Sequence, residues 1–146
     1  MASLIRFGPS GGGGGQKFDD MREFYPNGPS PDLRIAQVRV RSKDRIDAIE
    51  VTWSDGRSIH RGGSGGQWGA TVLPPIIEVS GSFGSRVDRL VLNRDTKEDP
   101  SERWFGGSGG CSEFNYPVPP GFVLIGFFGR AWAEIDSLGV ILMSVP

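Results

Sequence analysis

The sequence predicts an all-β protein, and three observations support this prediction. Apolar and polar residues alternate with period two in several segments, such as residues 35–41 and 46–53. No segment shows the sustained 3.6-residue periodicity of an amphipathic helix. Turn-forming residues interrupt the apolar runs at short intervals, for example at residues 26–29 and 54–56. Many short strands joined by turns indicate a sandwich, a barrel or a prism.

The first clearly alternating segment, residues 35–41, places Val38 and Val40 on one face. Its arginines alternate with these apolar residues, which is typical of a strand whose other face is solvated. In the next segment, residues 46–53, period two places Ile46 and Ala48 on the face opposite Trp53. We expect Trp53 in the core.

Three later segments complete the predicted strands. Residues 71–79 contain Pro74-Pro75, and proline cannot donate a hydrogen bond to a neighbouring strand, so this strand should be an edge or carry a bulge. Residues 87–92 are rich in branched side chains. The segments 122–128 and 138–145 are mostly apolar and are expected to be buried strands.

Composition and charge narrow the class of protein. A length of 146 residues and 37% hydrophobic residues suit a single domain spanning residues 1–146. The net charge of −1 gives no attraction to nucleic acid, and no apolar run is long enough for membrane insertion. Cys111 is the single cysteine, and no signal peptide begins the sequence, so we expect a cytoplasmic protein, with unconventional secretion as an alternative.

Three glycine clusters recur along the chain, at residues 11–15, 62–66 and 106–110. The first is five glycines, and the other two both read Gly-Gly-Ser-Gly-Gly. Three clusters whose starts lie 51 and 44 residues apart indicate one supersecondary unit used three times. An aspartate also recurs: Asp47, Asp88 and Asp136 each follow Ile or Val and precede Ile or Leu by two residues.

A glycine segment beside an aspartate suits a ligand that is rich in vicinal hydroxyls. Glycine lets a ligand approach the backbone amide without a Cβ in the way. A carboxylate accepts hydrogen bonds that hydroxyls donate, and the same hydroxyls accept from the amide. One shallow site of this kind binds in the millimolar range, about −4 kcal/mol, and several sites raise the apparent affinity through multivalency. This combination is typical of a sugar-binding protein.

Other chemistries fit the residues less well. A phosphate-binding loop would be followed by Lys-Ser or Lys-Thr and a helix, and no cluster is. His60 is the only histidine and has no partner at metal-ligand spacing. Glu134 and Asp136 could form the carboxylate pair of a glycosidase, but one acid repeated three times argues for binding rather than catalysis.

The chain resembles the jacalin-related lectin family, and the resemblance covers about residues 3–145. The segments that carry it are Gly-Gly-Gln-Lys-Phe-Asp at 14–19, Ile-Asp-Ala-Ile-Glu-Val at 46–51, His-Arg-Gly-Gly-Ser-Gly-Gly at 60–66, Gly-Phe-Phe-Gly-Arg at 126–130 and Ile-Asp-Ser-Leu-Gly at 135–139. The resemblance implies a type I β-prism of three four-stranded Greek-key sheets with pseudo-threefold symmetry. It also implies carbohydrate binding without catalysis, cofactor or metal, and common pairing into homodimers.

In this family the last glycine of a glycine-rich loop pairs with a Gly-x-x-x-Asp loop. Carried over, site 1 comprises Gly15, Ala133, Glu134 and Asp136. Site 2 comprises Gly66, Asp44, Arg45 and Asp47. Site 3 comprises Gly110, Ser85, Arg86 and Asp88. Site 1 joins the two ends of the chain, as a closed three-sided prism requires.

The sequence departs from the family pattern at two loops. The leading glycine is present only as Gly84 in site 3; Lys43 and Trp132 replace it in sites 2 and 1. Galactose-specific members of the family are usually cut to free a glycine amine, and this sequence shows no evidence of such cutting. The resemblance therefore favours mannose- or glucose-type glycans. Galactose or N-acetylgalactosamine remains the alternative, motivated by tryptophans beside the sites. Trp68, Trp104 and Trp132 are the candidates for lining a site, with packing as the other interpretation.

Overall fold

The computed structural model describes residues 2–95 and 103–146. Within these residues the elements in chain order are β1 (Leu4–Gly11), β2 (Gln16–Asp19), α1 (Asp20–Phe24), β3 (Ile35–Ser42), β4 (Ile46–Trp53), β5 (Ser58–Gly62), β6 (Gln67–Trp68), β7 (Ile76–Phe83), β8 (Val87–Arg94), β9 (Trp104–Gly106), β10 (Ser112–Pro117), β11 (Phe122–Ala131) and β12 (Ile135–Ser144). The all-β prediction is confirmed.

The described strands form three four-stranded antiparallel sheets with one shared topology. Their strand orders are β1-β12-β11-β2, β5-β4-β3-β6 and β10-β7-β8-β9. Each order is that of a Greek key, in which the fourth strand returns beside the first. The first sheet takes two strands from each end of the chain, so the threefold repeat is circularly shifted, as predicted.

The core contains buried side chains from all three sheets. The predicted core residues Val38, Val40 and Trp53 are all at most 1% exposed. Leu90 from β8 and Ile141 from β12 belong to the same apolar cluster. Removing large aliphatic and aromatic side chains from water stabilises the fold by about 1.5–3 kcal/mol each.

A β-bulge changes the predicted faces of β4. Arg41 pairs with Ala48 and Ser42 pairs with Ile46, so Asp47 is an extra residue in this strand. The extra residue shifts the alternation, and Ile46 joins Trp53 in the core cluster rather than facing away from it. The prediction for Ile46 was therefore wrong, because strict period two cannot anticipate a bulge.

The two prolines of the predicted strand 71–79 lie before β7, which begins at Ile76. β7 is an inner strand between β10 and β8, so the edge alternative was wrong. The bulge alternative fits, since pairing with β8 shifts register between Ile76 and Glu78. Proline is tolerated here because it precedes the ladder rather than interrupting it.

A short helix, α1, was not predicted. Asp19 caps it by accepting a hydrogen bond from the Arg22 amide at 3.0 Å, and the Glu23 carboxylate accepts one from the Asp19 amide at 2.7 Å. This reciprocal capping stabilises a helix too short to show periodicity. In the described part of the chain, no helix has the length and hydropathy needed to span a membrane.

Asp20 at the start of α1 joins two sheets through a buried ion pair. Its carboxylate accepts from the Arg61 guanidinium at 2.9 Å and from the Phe127 amide at 2.9 Å. The Phe127 amide is available because the pairing of β11 with β2 ends at Phe128 and Asp19, so Phe127 has no partner in β2. Burial raises the pKa of Asp20 to about 6, although Phe127 and Arg61 oppose the shift.

Candidate functional site

The three repeated aspartates all occupy β-bulges at one end of the prism. Asp136 is unpaired between the Arg130–Ser137 and Ala131–Ile135 pairs of β11 and β12. Asp47 and Asp88 are skipped in the same way in the other two sheets. A bulge directs a side chain away from the regular pleat. Each aspartate is thereby placed at the rim of its sheet rather than on a face.

Each glycine segment docks on the bulge of its own site through one backbone hydrogen bond. The second glycine of the segment donates its amide to the carbonyl of the bulged aspartate. The distance is 2.9 Å in every case, for Gly12 and Asp136, for Gly63 and Asp47, and for Gly107 and Asp88. The three predicted pairings of segment and aspartate are therefore present in the fold.

The aspartate side chain lies against the last glycine of its segment, where a side chain would collide with it. A Cβ added there would lie 2.5 Å from the Asp136 Oδ2 at Gly15, 2.5 Å from the Asp47 Oδ2 at Gly66, and 2.9 Å from the Asp88 Oδ2 at Gly110. All three glycines also have positive φ, between 63° and 85°. Glycine is needed here for both space and conformation.

The turns that precede the aspartates share one geometry despite their different leading residues. The amide of the leading residue donates to the carbonyl two residues later: Lys43 to Arg45 at 3.1 Å, Gly84 to Arg86 at 3.0 Å, and Trp132 to Glu134 at 3.0 Å. Among the described residues, no non-glycine residue has positive φ, so this turn does not require glycine. The departures at Lys43 and Trp132 leave the backbone of the site unchanged.

Sequence reasoning missed one side chain in each site, which holds the glycine segment through a hydrogen bond. The residue six positions before each aspartate donates to the carbonyl that precedes the last glycine. The contacts are Arg130 Nε to the Gly14 carbonyl at 3.0 Å, Arg41 Nε to the Gly65 carbonyl at 3.0 Å, and Ser82 Oγ to the Gly109 carbonyl at 2.9 Å. The constant offset of six was the signal available in the sequence.

These contacts orient the amide of the last glycine. In a planar trans peptide the carbonyl and the following amide point in opposite directions. Because the Gly14 carbonyl is directed at Arg130, the Gly15 amide is directed away from it. The same argument applies to Gly66 and Gly110. The amides that the resemblance assigns to ligand binding therefore take no part in these hydrogen bonds, and each is held in a fixed direction.

We expect Arg130→Ala to weaken ligand binding at site 1 about five- to tenfold, because two charge-assisted hydrogen bonds to the Gly14 and Gly15 carbonyls are lost. Titration followed by the Gly15 amide NMR signal measures this. Lys17→Ala is the control, since Lys17 is the cross-strand partner of Arg130 and also carries a positive charge. Equal effects of the two changes would contradict the orienting role.

Burial raises the pKa of two of the three site aspartates. One is Asp47, whose pKa the nearby Glu134 carboxylate raises further. Burial also raises the pKa of Asp136, while the Arg86 guanidinium opposes that shift. Both carboxylates therefore lose their charge at a higher pH than an ordinary aspartate.

The three candidate tryptophans have different surroundings. The Trp68 ring is covered by the guanidinium groups of Arg39 and Arg41, at 4.1 and 5.1 Å from its centroid. Trp104 packs in the same way under Arg89 at 5.3 Å. Trp132 lies in the turn of site 1 and is 72% exposed. Trp132 is therefore the tryptophan that the fold leaves most open to a ligand.

The acids of site 1 are not arranged as a catalytic pair. Glu134 is held by two arginines, at 3.4 Å from Arg45 and 3.1 Å from Arg86. Both carboxylate oxygens of Glu134 are thus engaged by cations, whereas a glycosidase acid must present its carboxyl group to the substrate. Among residues 2–95 and 103–146, no group of His, Cys, Asp or Glu could hold a metal ion.

Comparison with known proteins agrees with this geometry. The family model described as a Jacalin-like lectin domain matches residues 7–141. Horcolin from Hordeum vulgare is 29% identical over 150 residues, covering 95% of this chain and 97% of that protein.

Two solved structures share the fold over nearly their whole length. Malaysian banana lectin is 31% identical with a TM-score of 0.75, covering 97% of this chain and 99% of that one. AcmJRL, a mannose-binding jacalin-related lectin from Ananas comosus, is 25% identical with a TM-score of 0.71, covering 97% and 98%. The chain therefore belongs to the jacalin-like lectin domain family of non-catalytic, carbohydrate-binding β-prism proteins.

Proposed function

We propose that this protein binds mannose- or glucose-type glycans at three shallow sites at one end of the prism. The observation that carries the proposal is the same contact made three times: a bulged aspartate against the last glycine of a glycine segment. In each site, the carboxylate of Asp47, Asp88 or Asp136 accepts hydrogen bonds from sugar hydroxyls. The amide of the adjacent glycine donates to a hydroxyl oxygen.

The same chemistry sets the expected affinity. Hydrogen bonds to a charged acceptor contribute about 1.5–3 kcal/mol each, against about 1 kcal/mol for neutral pairs. A shallow site with a few such bonds binds a monosaccharide in the millimolar range. Three sites in one chain raise the apparent affinity for a branched glycan about 10²–10⁴-fold where its arms span them.

The preference for mannose rests on site 1. Its glycine segment, residues 11–15, is an internal link between β1 and β2, so no free glycine amine lies beside Asp136. A free amine is the feature of the galactose-specific branch. The similarity to a mannose-binding lectin from Ananas comosus supports the same choice.

Galactose or N-acetylgalactosamine is the second candidate, and Trp132 is the observation that favours it. Its ring is 72% exposed in the turn of site 1. Tryptophan faces stack on the apolar C–H patches of sugars, and galactose presents such a patch. This candidate changes the preferred sugar but not the residues that hold it.

Isothermal titration calorimetry with two methyl glycosides tests the proposal. We expect methyl α-mannopyranoside to bind in the millimolar range and methyl α-galactopyranoside to bind about tenfold more weakly. Stronger binding of the galactoside would select the second candidate. Binding of neither glycoside, nor of any glycan on an array, would contradict a lectin function.

The proposed partners are mannose-containing oligosaccharides and glycoproteins, and the proposed assembly is a homodimer. Three sites at one end of a single chain face the same way, whereas two chains would present six sites in two directions. Such a dimer would cross-link glycoproteins and agglutinate cells. A net charge of −1 gives no support to a nucleic-acid partner.

A further inference from the structure

The residues two positions before the three aspartates form an ion cluster between the sheets. These equivalent residues are Arg45, Arg86 and Glu134. Glu134 accepts a hydrogen bond from Arg45 Nη1 at 3.4 Å through one oxygen and forms an ion pair with Arg86 Nε at 3.1 Å through the other. Each residue comes from the turn that links two strands of a different sheet, so the cluster lies where the three turns converge. Two members are cationic and one is anionic, so the pseudo-threefold symmetry is broken in charge.

The backbone shows why these side chains leave their own sites. Each glycine segment borders the turn of a neighbouring site. A Cβ added to Gly12 would lie 2.2 Å from the Ser85 carbonyl, and one added to Gly63 would lie 2.3 Å from the Ala133 carbonyl. The third contact, between Gly107 and the Asp44 carbonyl, would be 2.6 Å. Site 1 is therefore bordered by the turn of site 3, site 2 by the turn of site 1, and site 3 by the turn of site 2.

The charges follow the same cyclic order. Arg45 Nε lies 3.8 Å from Asp88 Oδ1, so the arginine from the turn of site 2 reaches the aspartate of site 3. After burial, Arg86 from the turn of site 3 has the largest influence on the pKa of Asp136 in site 1, and lowers it. Glu134 from the turn of site 1 has the largest such influence on Asp47 in site 2, and raises its pKa.

We propose that the three sites sort glycans by charge: sites 1 and 3 accept saccharides that carry a carboxylate, whereas site 2 favours neutral saccharides. The determinant is the side chain that crosses from the neighbouring turn, namely Arg86 at site 1, Glu134 at site 2 and Arg45 at site 3. The proposal rests on the glycan-binding function proposed above. It adds a preference for ligand charge, which the aspartate and glycine contacts shared by all three sites do not provide.

The size of the effect follows from exposure. The side chains of Arg45 and Arg86 are 45% and 41% exposed, so solvent screens them. Exposed charge pairs change binding about two- to fivefold. The effect should be measured near 0.01 M ionic strength, where the screening length is about 30 Å, and should vanish at high salt.

A matched pair of ligands isolates the charge. One is 2-carboxyethyl α-mannopyranoside and the other is its carboxamide, which has nearly the same shape and no charge. Titration of the intact protein followed by NMR resolves the sites, because the amides of Gly15, Gly66 and Gly110 each report one site. We expect the carboxylate to bind sites 1 and 3 at least as tightly as the carboxamide, and site 2 about two- to fivefold more weakly.

Two substitutions assign the effect to side chains. Glu134→Gln should remove the penalty at site 2, and Arg86→Gln should reduce the relative affinity for the carboxylate at site 1. Arg86 belongs to the turn of site 3. If it acted only within its own turn, the substitution would instead change the relative affinity for the carboxylate at site 3. Arg57→Gln is the control, since it makes the same charge change beyond Trp53, at the opposite end of β4 from Asp47.

The possible failures are distinguishable. Equal carboxylate-to-carboxamide affinity ratios at the three sites, or an effect of Arg86→Gln on site 3 alone, would overturn the charge sorting and leave the lectin function intact. Absence of binding of the neutral carboxamide at every site would overturn the proposed function, and the charge sorting with it.

Discussion

Changing Asp88 to Asn should lower the number of mannoside molecules bound per chain from three to two. The same result is expected for Asp47→Asn and Asp136→Asn, because the three aspartates make equivalent contacts with their glycine segments. An amide side chain of the same shape offers one neutral acceptor in place of a charged one. Losing a bond to a charged acceptor costs about 1.5–3 kcal/mol, which weakens a site about ten- to hundredfold. A millimolar site then falls below detection by calorimetry.

The thermal unfolding midpoint of each variant is the control for this experiment. Asparagine keeps the shape of the bulged residue, and its backbone carbonyl still accepts from the glycine segment. We expect changes in the free energy of unfolding within about 0.5 kcal/mol, as for most substitutions at a protein surface. A stoichiometry that stays at three in Asp88→Asn would show that site 3 is assigned to the wrong residues.

Changing Asp20 to Ala should destabilise the fold more than any change in the sugar sites. The substitution leaves the Arg61 guanidinium without its closest acid and the Phe127 amide without its acceptor. Breaking one half of a buried ion pair typically costs about 3–5 kcal/mol. Urea denaturation measures the loss. A change below about 1 kcal/mol would show that this pair does not contribute to joining α1, β5 and β11.

The pH dependence of stability tests the raised pKa of Asp20. The pKa of Asp20 is raised from 3.8 to about 6 in the fold, so the folded state binds its proton more tightly than the unfolded state. This contribution to stability is fully present below pH 3.8 and is lost as the pH rises through about 6. Relative to Asp20→Asn, the native protein should therefore gain stability as the pH falls from about 6 to about 4. An unchanging difference across that range would contradict the raised pKa.

The repeat indicated that each glycine segment has a partner aspartate, and the family resemblance implied which ones pair. Segments 11–15, 62–66 and 106–110 and the three aspartates recur together, and a threefold coincidence is improbable unless they form one unit. Greek-key topology and the circular shift were implied by the family resemblance. The assignment of individual residues to sugar contacts stays a prediction, since the fold alone does not identify a ligand.

The parts that sequence did not reveal depend on local departures from regular strands. The bulge at Asp47 moves Ile46 into the core, and no alternation pattern contains that information. Arg41 was assigned to a solvated strand face, but its guanidinium group extends to a glycine carbonyl, and Arg130 makes the equivalent contact in site 1. A long side chain on an outer face has several possible destinations, and only the neighbouring loop determines which one it takes.

The charge arrangement between the sites needed the three-dimensional structure. Residues 45, 86 and 134 lie far apart in sequence, in turns that link strands of different sheets. Sequence reasoning assigned each of them to the site of its own turn. The side chains instead reach the neighbouring site, because the turns converge where the three sheets meet.

A crystal structure of the protein with methyl α-mannopyranoside tests the central claim most directly. We predict one sugar beside each of Asp47, Asp88 and Asp136, with hydroxyls within hydrogen-bond distance of the carboxylate and of the Gly66, Gly110 or Gly15 amide. Sugar bound elsewhere on the prism, with these carboxylates left in contact only with solvent, would contradict the claim.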